Sequence, residues 1–323
     1  LIGLIATAID RKVEDLRRGR SPVIVDDHTL ILGWSPKVPT LVSELVVANE
    51  NVRRAHVVVL ASMDKREMED AIRTRVPDTR TTTVICRTGH PSELHDLDLV
   101  NAAGAKSIIV VSPESESPDA EVIRATLALQ SLRIDESTPI VVELVEARRA
   151  AVLRTVTHDR VSTVASTEVI ARIAAQICRY RGLSEVFQEL LDFDGDEIYF
   201  QVQPRLAGHT FGTAVLSHRT SSVIGLRRGD GTIEICPPAG TLVNDGDSVI
   251  AISEDDDTIV LDDTLAEHPA SAERVLHEPP ATEHLLVLGW NQLGSQILGN
   301  LDPYLAPGST ALVVFDPEHT SSR

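Results

Sequence analysis

Cysteine is scarce: Cys86, Cys178 and Cys236 are the three in 323 residues. They lie too far apart for a disulfide framework or a zinc site, and they fit a reducing cytosol. No apolar run is long enough to cross a bilayer, which needs roughly 20 residues. The apolar LIGLIATAI at the start falls well short. Basic residues are outnumbered, 30 Lys and Arg against 48 Asp and Glu, for a formal charge of -18. That balance disfavours nucleic acid and suits a cation-rich partner or simple solubility. Catalytic spacing is absent too, since the histidines are scattered and no Ser/His/Asp arrangement is recognisable. The chain is not expected to be an enzyme.

What is present is a repeat. The run HTLILGW (His28 to Trp34) returns as HLLVLGW (His284 to Trp290). In each copy an apolar strand ends at a glycine, a helical stretch follows (Pro39 to Asn49, Leu293 to Leu301), and a second apolar strand comes next (His56 to Ala61, Ala311 to Asp316). This is the β-α-β opening of a dinucleotide-binding fold, used twice. Further alternating elements follow the first copy, and HVVVLA and SIIVV are apolar on both faces, as buried parallel strands are.

The fold class expected is therefore α/β, a Rossmann-like doubly wound parallel sheet with a helical linker, a small α+β domain, and the start of a second Rossmann-like unit. By residue number the segments are 1-21, an apolar helix end and basic linker; 22-155, the Rossmann-like lobe; 156-191, linking helices; 192-262, the α+β lobe; 263-282, an acidic and Pro-rich linker; and 283-323, a second unit cut short. Arg11, Lys12, Arg17, Arg18 and Arg20 follow the first apolar run as basic residues follow the cytoplasmic end of a membrane helix. An ordinary amphipathic helix is the competing reading.

A competent dinucleotide turn reads G-x-G-x-x-G, with an acid near the end of the second strand for the ribose. The first copy, Gly33-Trp34-Ser35-Pro36-Lys37-Val38, has lost two glycines and the acid. The second keeps Gly289, Asn291 and Gly294 in its turn and Asp316 after its second strand. Those four are the candidate nucleotide residues, against a reading in which the glycines serve only the turn and close helix packing. In Arg87-Thr88-Gly89-His90-Pro91, the histidine falls near Glu93, His95, Asp96 and Asp98, after a strand C-terminus where sites of this fold lie. A polar loop explains it equally well. Asp192, Asp194, Asp196 and Glu197 alternate around Gly195, an oxygen-rich spacing that suits calcium. A solvated turn ahead of a strand is the alternative, and the run lacks the EF-hand pattern.

The segments LRRGRSPVI, HTLILGWS, VVVLA, VICRTGHP and AISEDDDT resemble the CASTOR/POLLUX family of ion channels, including its bacterial members, and the architecture resembles the RCK (regulator of conductance of potassium) gating module. The resemblance implies a cation channel in the cell membrane, with a pore domain N-terminal to Leu1 as partner. It also implies tandem RCK units on the cytoplasmic side, a tetrameric gating ring and calcium as ligand. It assigns no metal residue here; the Asp192 to Glu197 cluster is read from its spacing and from its location at the junction between the linking helices and the small domain. Two other classes stay open: a peripheral nucleotide-binding regulatory subunit of a potassium-uptake transporter, and an NAD-dependent oxidoreductase.

Overall fold

The computed structural model describes residues 19–192, 195–265 and 281–316. Contacts divide the chain into two units, residues 1–178 with 282–323, and residues 179–281.

The first unit is built on a six-stranded sheet of order β3-β2-β1-β4-β5-β6, made of β1 (His28–Leu32), β2 (Ala55–Ala61), β3 (Thr82–Thr88), β4 (Ala105–Val110), β5 (Ile140–Leu144) and β6 (Ser162–Ala165). Every pair is parallel. Parallel strands need crossovers, and helices supply them: α1 (Val38–Ala48), α2 (Lys65–Arg75), α3 (Leu94–Leu99), α4 (Pro118–Gln130) and α5 (Ala147–Val156). Alternation along each strand feeds two cores. Leu30, Leu32, Val58, Leu60, Ile108, Val110 and Val142 meet Leu97, Val122, Leu129 and Leu153 on one face. Ile31, Val57, Val59 and Cys86 meet Val38, Val42, Val46, Met68 and Ile72 on the other. Burying each such aliphatic side chain is worth about 1.5–3 kcal/mol. Strand order reverses between β1 and β4, so the cleft at their C-terminal ends is where a ligand of this fold belongs.

One expectation changes. The stretch assigned wholly to linking helices contributes β6 (Ser162–Ala165) to this sheet before α6 (Ser166–Arg179) begins. Its sequence STVA is half polar and half exposed because it is an edge strand, so no apolar run marks it. The remainder through Leu191 forms linking helices as expected, α6 and α7 (Leu183–Leu191), with Gly182 between them at φ +90°. Glycine takes that left-handed backbone without Cβ strain.

In the same unit β11 (His284–Leu288), α9 (Gln292–Leu301) and β12 (Thr310–Val314) repeat the β1-α1-β2 pattern as a parallel pair. The two copies share their turn geometry: the Gly33 N–H donates to Leu60 O at 2.9 Å, and the Gly289 N–H to Val314 O at 2.8 Å.

The second unit carries α7 and an antiparallel sheet of order β7-β10-β8-β9, formed by β7 (Glu197–Val202), β8 (Ser222–Arg227), β9 (Ile233–Ile235) and β10 (Ser248–Ser253). One face packs on α8 (Phe211–Leu216) through Phe211, Ala214, Leu226, Val249 and Ala251. The turn Gly229-Asp230-Gly231 joins β8 to β9, as the sequence indicates. Among the described residues no helix is long and apolar enough to cross a membrane.

Candidate functional site

The cleft between β1 and β4 begins at Gly33. Its φ is +99°, and a Cβ there would lie 2.6 Å from the Val111 carbonyl oxygen. This glycine therefore lets the turn approach the end of β4, whatever becomes of a cofactor. The next residues do not form a phosphate cradle. Lys37 is the N-cap of α1 and makes no side-chain cap, and Pro39 lies in the first turn. Glu143, at the end of β5, takes the Lys37 ammonium and, at 3.2 Å, the Ser112 N–H. A carboxylate thus holds donors that an anionic ligand would need.

Beyond this point opens a cavity of about 460 Å³, lined among others by Trp34, Met63, His90, Glu93, Glu121 and Arg124. Ser62 Oγ lies 2.8 Å from His90 Nδ1. Asp96 Oδ2 accepts from the His90 backbone N–H at 2.8 Å, not from the ring. The trio joins the residue after β2 (Ser62), the loop after β3 (His90) and the start of α3 (Asp96), and among the described residues no carboxylate bonds the His90 ring. Among the described residues no group of three or more His, Cys, Asp or Glu is placed to hold a metal ion.

The end of β3 and the loop after it have a second face. Arg87 Nε donates to Ser21 O at 2.6 Å and Nη1 to Cys86 O at 2.9 Å. The Thr88 N–H donates to Gly19 O at 3.3 Å. Burial lowers the affinity of the Arg87 guanidinium for its proton, though the group stays charged. Downstream, the Val23 N–H donates to Leu99 O at 2.7 Å, and Asn101 Nδ2 to Val25 O at 2.9 Å. Five consecutive residues, Arg87 to Pro91, therefore grip the lead-in segment on one side and line the cavity on the other. Position after a strand pointed to this run in the sequence. The roles of Arg87 and Glu143 did not show there, because their partners are backbone groups and a lysine distant in the chain.

In the second unit, Asp192 caps the end of α7, and its carbonyl accepts from the Gly195 N–H at 3.1 Å. A Cβ on Gly195 would lie 2.8 Å from Glu189 Oε1, so Glu189 is a further carboxylate beside the turn. Asp196 is exposed, and Glu197 opens β7 and accepts from Tyr199 Oη at 3.3 Å. Burial and the nearby Glu197 push the Tyr199 phenol up to about 12. Asp194 lies outside the described residues.

In the second copy of the repeat, Gly289 has φ +84° with open space where a Cβ would be. Asn291 Oδ1 caps α9 by accepting from the Leu293 N–H at 2.9 Å. A Cβ on Gly294 would meet the Trp290 ring at 2.8 Å. Turn, cap and ring contact each have a local use for these residues; Asp316 follows β12.

Comparison with known proteins gives one consistent family. The sequence pattern described as "Castor and Pollux, part of voltage-gated ion channel" matches residues 167–268. The chain is 33% identical to "Probable ion channel CASTOR" of Oryza sativa subsp. japonica, over 100% of this chain and 37% of that protein. It is 32% identical to "Probable ion channel POLLUX" of Arabidopsis thaliana, over 96% and 38%. It therefore spans less than two fifths of the length of these relatives. In fold it is similar to the human SLO3 gating ring, with TM-score 0.54 and 17% identity, covering 81% of this chain and 53% of that one.

Proposed function

The chain belongs to the CASTOR/POLLUX family of ion channels, and from that premise we propose that it is the regulatory, gating-ring region of a cation channel, on the cytoplasmic side of the cell membrane. The observation that carries this reading is the grip of Arg87 and Thr88 on Ser21 and Gly19. A membrane pore preceding this region would pull on the chain at that point. A ligand that favours one arrangement of the lobe would then bias the pore, provided its affinity differs between the two states.

Assembly with further copies, as a tetrameric ring in the full protein, is part of the same reading. Apolar side chains left exposed support it: Ile198, Phe200 and Val202 along β7, Val169 and Ile170 on α6, Val186 and Leu191 on α7. The peripheral-subunit and oxidoreductase alternatives have less support, since the similarity to ion channels runs along essentially the whole chain and the Gly33 turn offers no pyrophosphate site.

Calcium is the ligand proposed, at Asp192, Asp194, Asp196 and Glu197. Calorimetric titration of the chelator-stripped chain, with magnesium as control, tests it. A sensor-class site gives saturable, calcium-specific heat with Kd on the order of 10⁻⁷ to 10⁻⁵ M, abolished by Asp194→Asn with Asp196→Asn. An unchanged isotherm in that variant rules out the cluster. Absence of heat in the wild type rules out calcium for this region and turns the search to a nucleotide at Gly289, Asn291, Gly294 and Asp316.

A further inference from the structure

The cavity at the sheet's switch point has no part in the calcium reading, yet its walls specify a ligand. Its volume, about 460 Å³, is that of a small-molecule site. Its floor is apolar, formed by Leu32, Val110 and Val122, with the Trp34 indole and the Met63 thioether beside them. Charge on the lining is two carboxylates, Glu93 and Glu121, against one guanidinium, Arg124. Among the described residues these carboxylates enter no ion pair or side-chain hydrogen bond. Nearby, Glu143 has taken the Lys37 ammonium and the Ser112 N–H, donors that could have met an anion. A phosphate entering here meets two carboxylates against one guanidinium, a net repulsion; an ammonium meets a net attraction beside an aromatic side chain.

We infer that this cleft is a binding site for a small organic cation with an apolar body, held by Glu93 and Glu121 against Trp34. The site is argued from the lobe alone. Its consequence for a pore rests on the gating reading, because His90 and Pro91, which line the cavity, directly follow Arg87 and Thr88, which hold the lead-in segment. Arg124 narrows the class to low net charge: it opposes a polyvalent cation and can meet an acceptor on the ligand.

The test uses the chain with Trp290→Phe, which leaves Trp34 as its only tryptophan. Benzyltrimethylammonium is titrated while tryptophan emission is followed, with benzyl alcohol as the neutral control and ADP as the anionic one. The cation gives a saturable change, ADP gives none, and Glu93→Gln with Glu121→Gln weakens binding about tenfold, the loss expected when charge pairing worth about 1.4 kcal/mol is removed. Both glutamates are exposed, so the carboxamides leave the core intact, which circular dichroism verifies. Tighter saturation by ADP, equal binding of benzyl alcohol, no saturable change with the cation, or unchanged affinity in the carboxamide pair overturns the site. The assay contains no pore, so these failures leave the gating reading standing.

Discussion

Replacing Arg87 with Met removes the guanidinium while keeping an unbranched stem of similar reach. Two carbonyls lose their donor, Ser21 O at 2.6 Å and Cys86 O at 2.9 Å. Only the first bond spans to the lead-in segment. A hydrogen bond from a charged donor contributes about 1.5–3 kcal/mol net, so local release of that segment becomes easier by about 2 kcal/mol. In native-state exchange this is a roughly 30-fold increase in opening, since 1.4 kcal/mol is tenfold. The reporter is the Thr88 amide, whose acceptor is Gly19 O. The control is the Val111 amide, bonded to Leu32 O at 2.8 Å across the sheet. The expected result is fast Thr88 exchange with Val111 unmoved. Unchanged Thr88 protection would refute the latch, and a parallel rise at Val111 would show global destabilisation instead.

Other expectations are equally specific. Gly33→Ala forces a left-handed φ and places a Cβ 2.6 Å from a backbone oxygen; strain and overpacking together cost about 2–5 kcal/mol in urea unfolding followed by circular dichroism. Gly289→Ala, with a similar φ but open space, costs only about 1–2 kcal/mol, and equal losses would contradict the clash. His28 is fully buried, and burial holds its imidazole below the ordinary value. Because the unfolded chain then binds the proton more readily, this contribution is complete above about pH 6.5 and declines as pH falls below it. Between pH 7.5 and 5.5 the wild type loses up to about 1.4 kcal/mol more than His28→Leu; parallel curves would remove His28 as the cause.

Much of this was legible in the sequence for a physical reason. HTLILGW and HVVVLA are buried on both faces, so their apolar runs announce parallel strands, and the returning HLLVLGW announces the second copy. Elements with thinner burial were harder to read. KREMEDAIRTR forms α2 while burying only Met68 and Ile72, and STVA pairs at a sheet edge. Asp119, in the first turn of α4, is almost fully buried, accepting from the N–H groups of Val145 at 2.7 Å and Glu146 at 3.2 Å, and no local sequence pattern marks that role. The position of the Arg87 to Pro91 run could be deduced from where ligands sit in this fold. Its double duty could not, because Ser21 offers only a backbone carbonyl, and sequence patterns carry no trace of that.

The central claim is that the lobe controls a pore through the lead-in segment. Its most direct test is patch recording of the full-length channel containing this region, comparing wild type with Arg87→Met at matched voltage and calcium. The latch predicts an altered open probability at unchanged single-channel conductance. Identical open probability, in a variant whose Thr88 amide is demonstrably released, would contradict it.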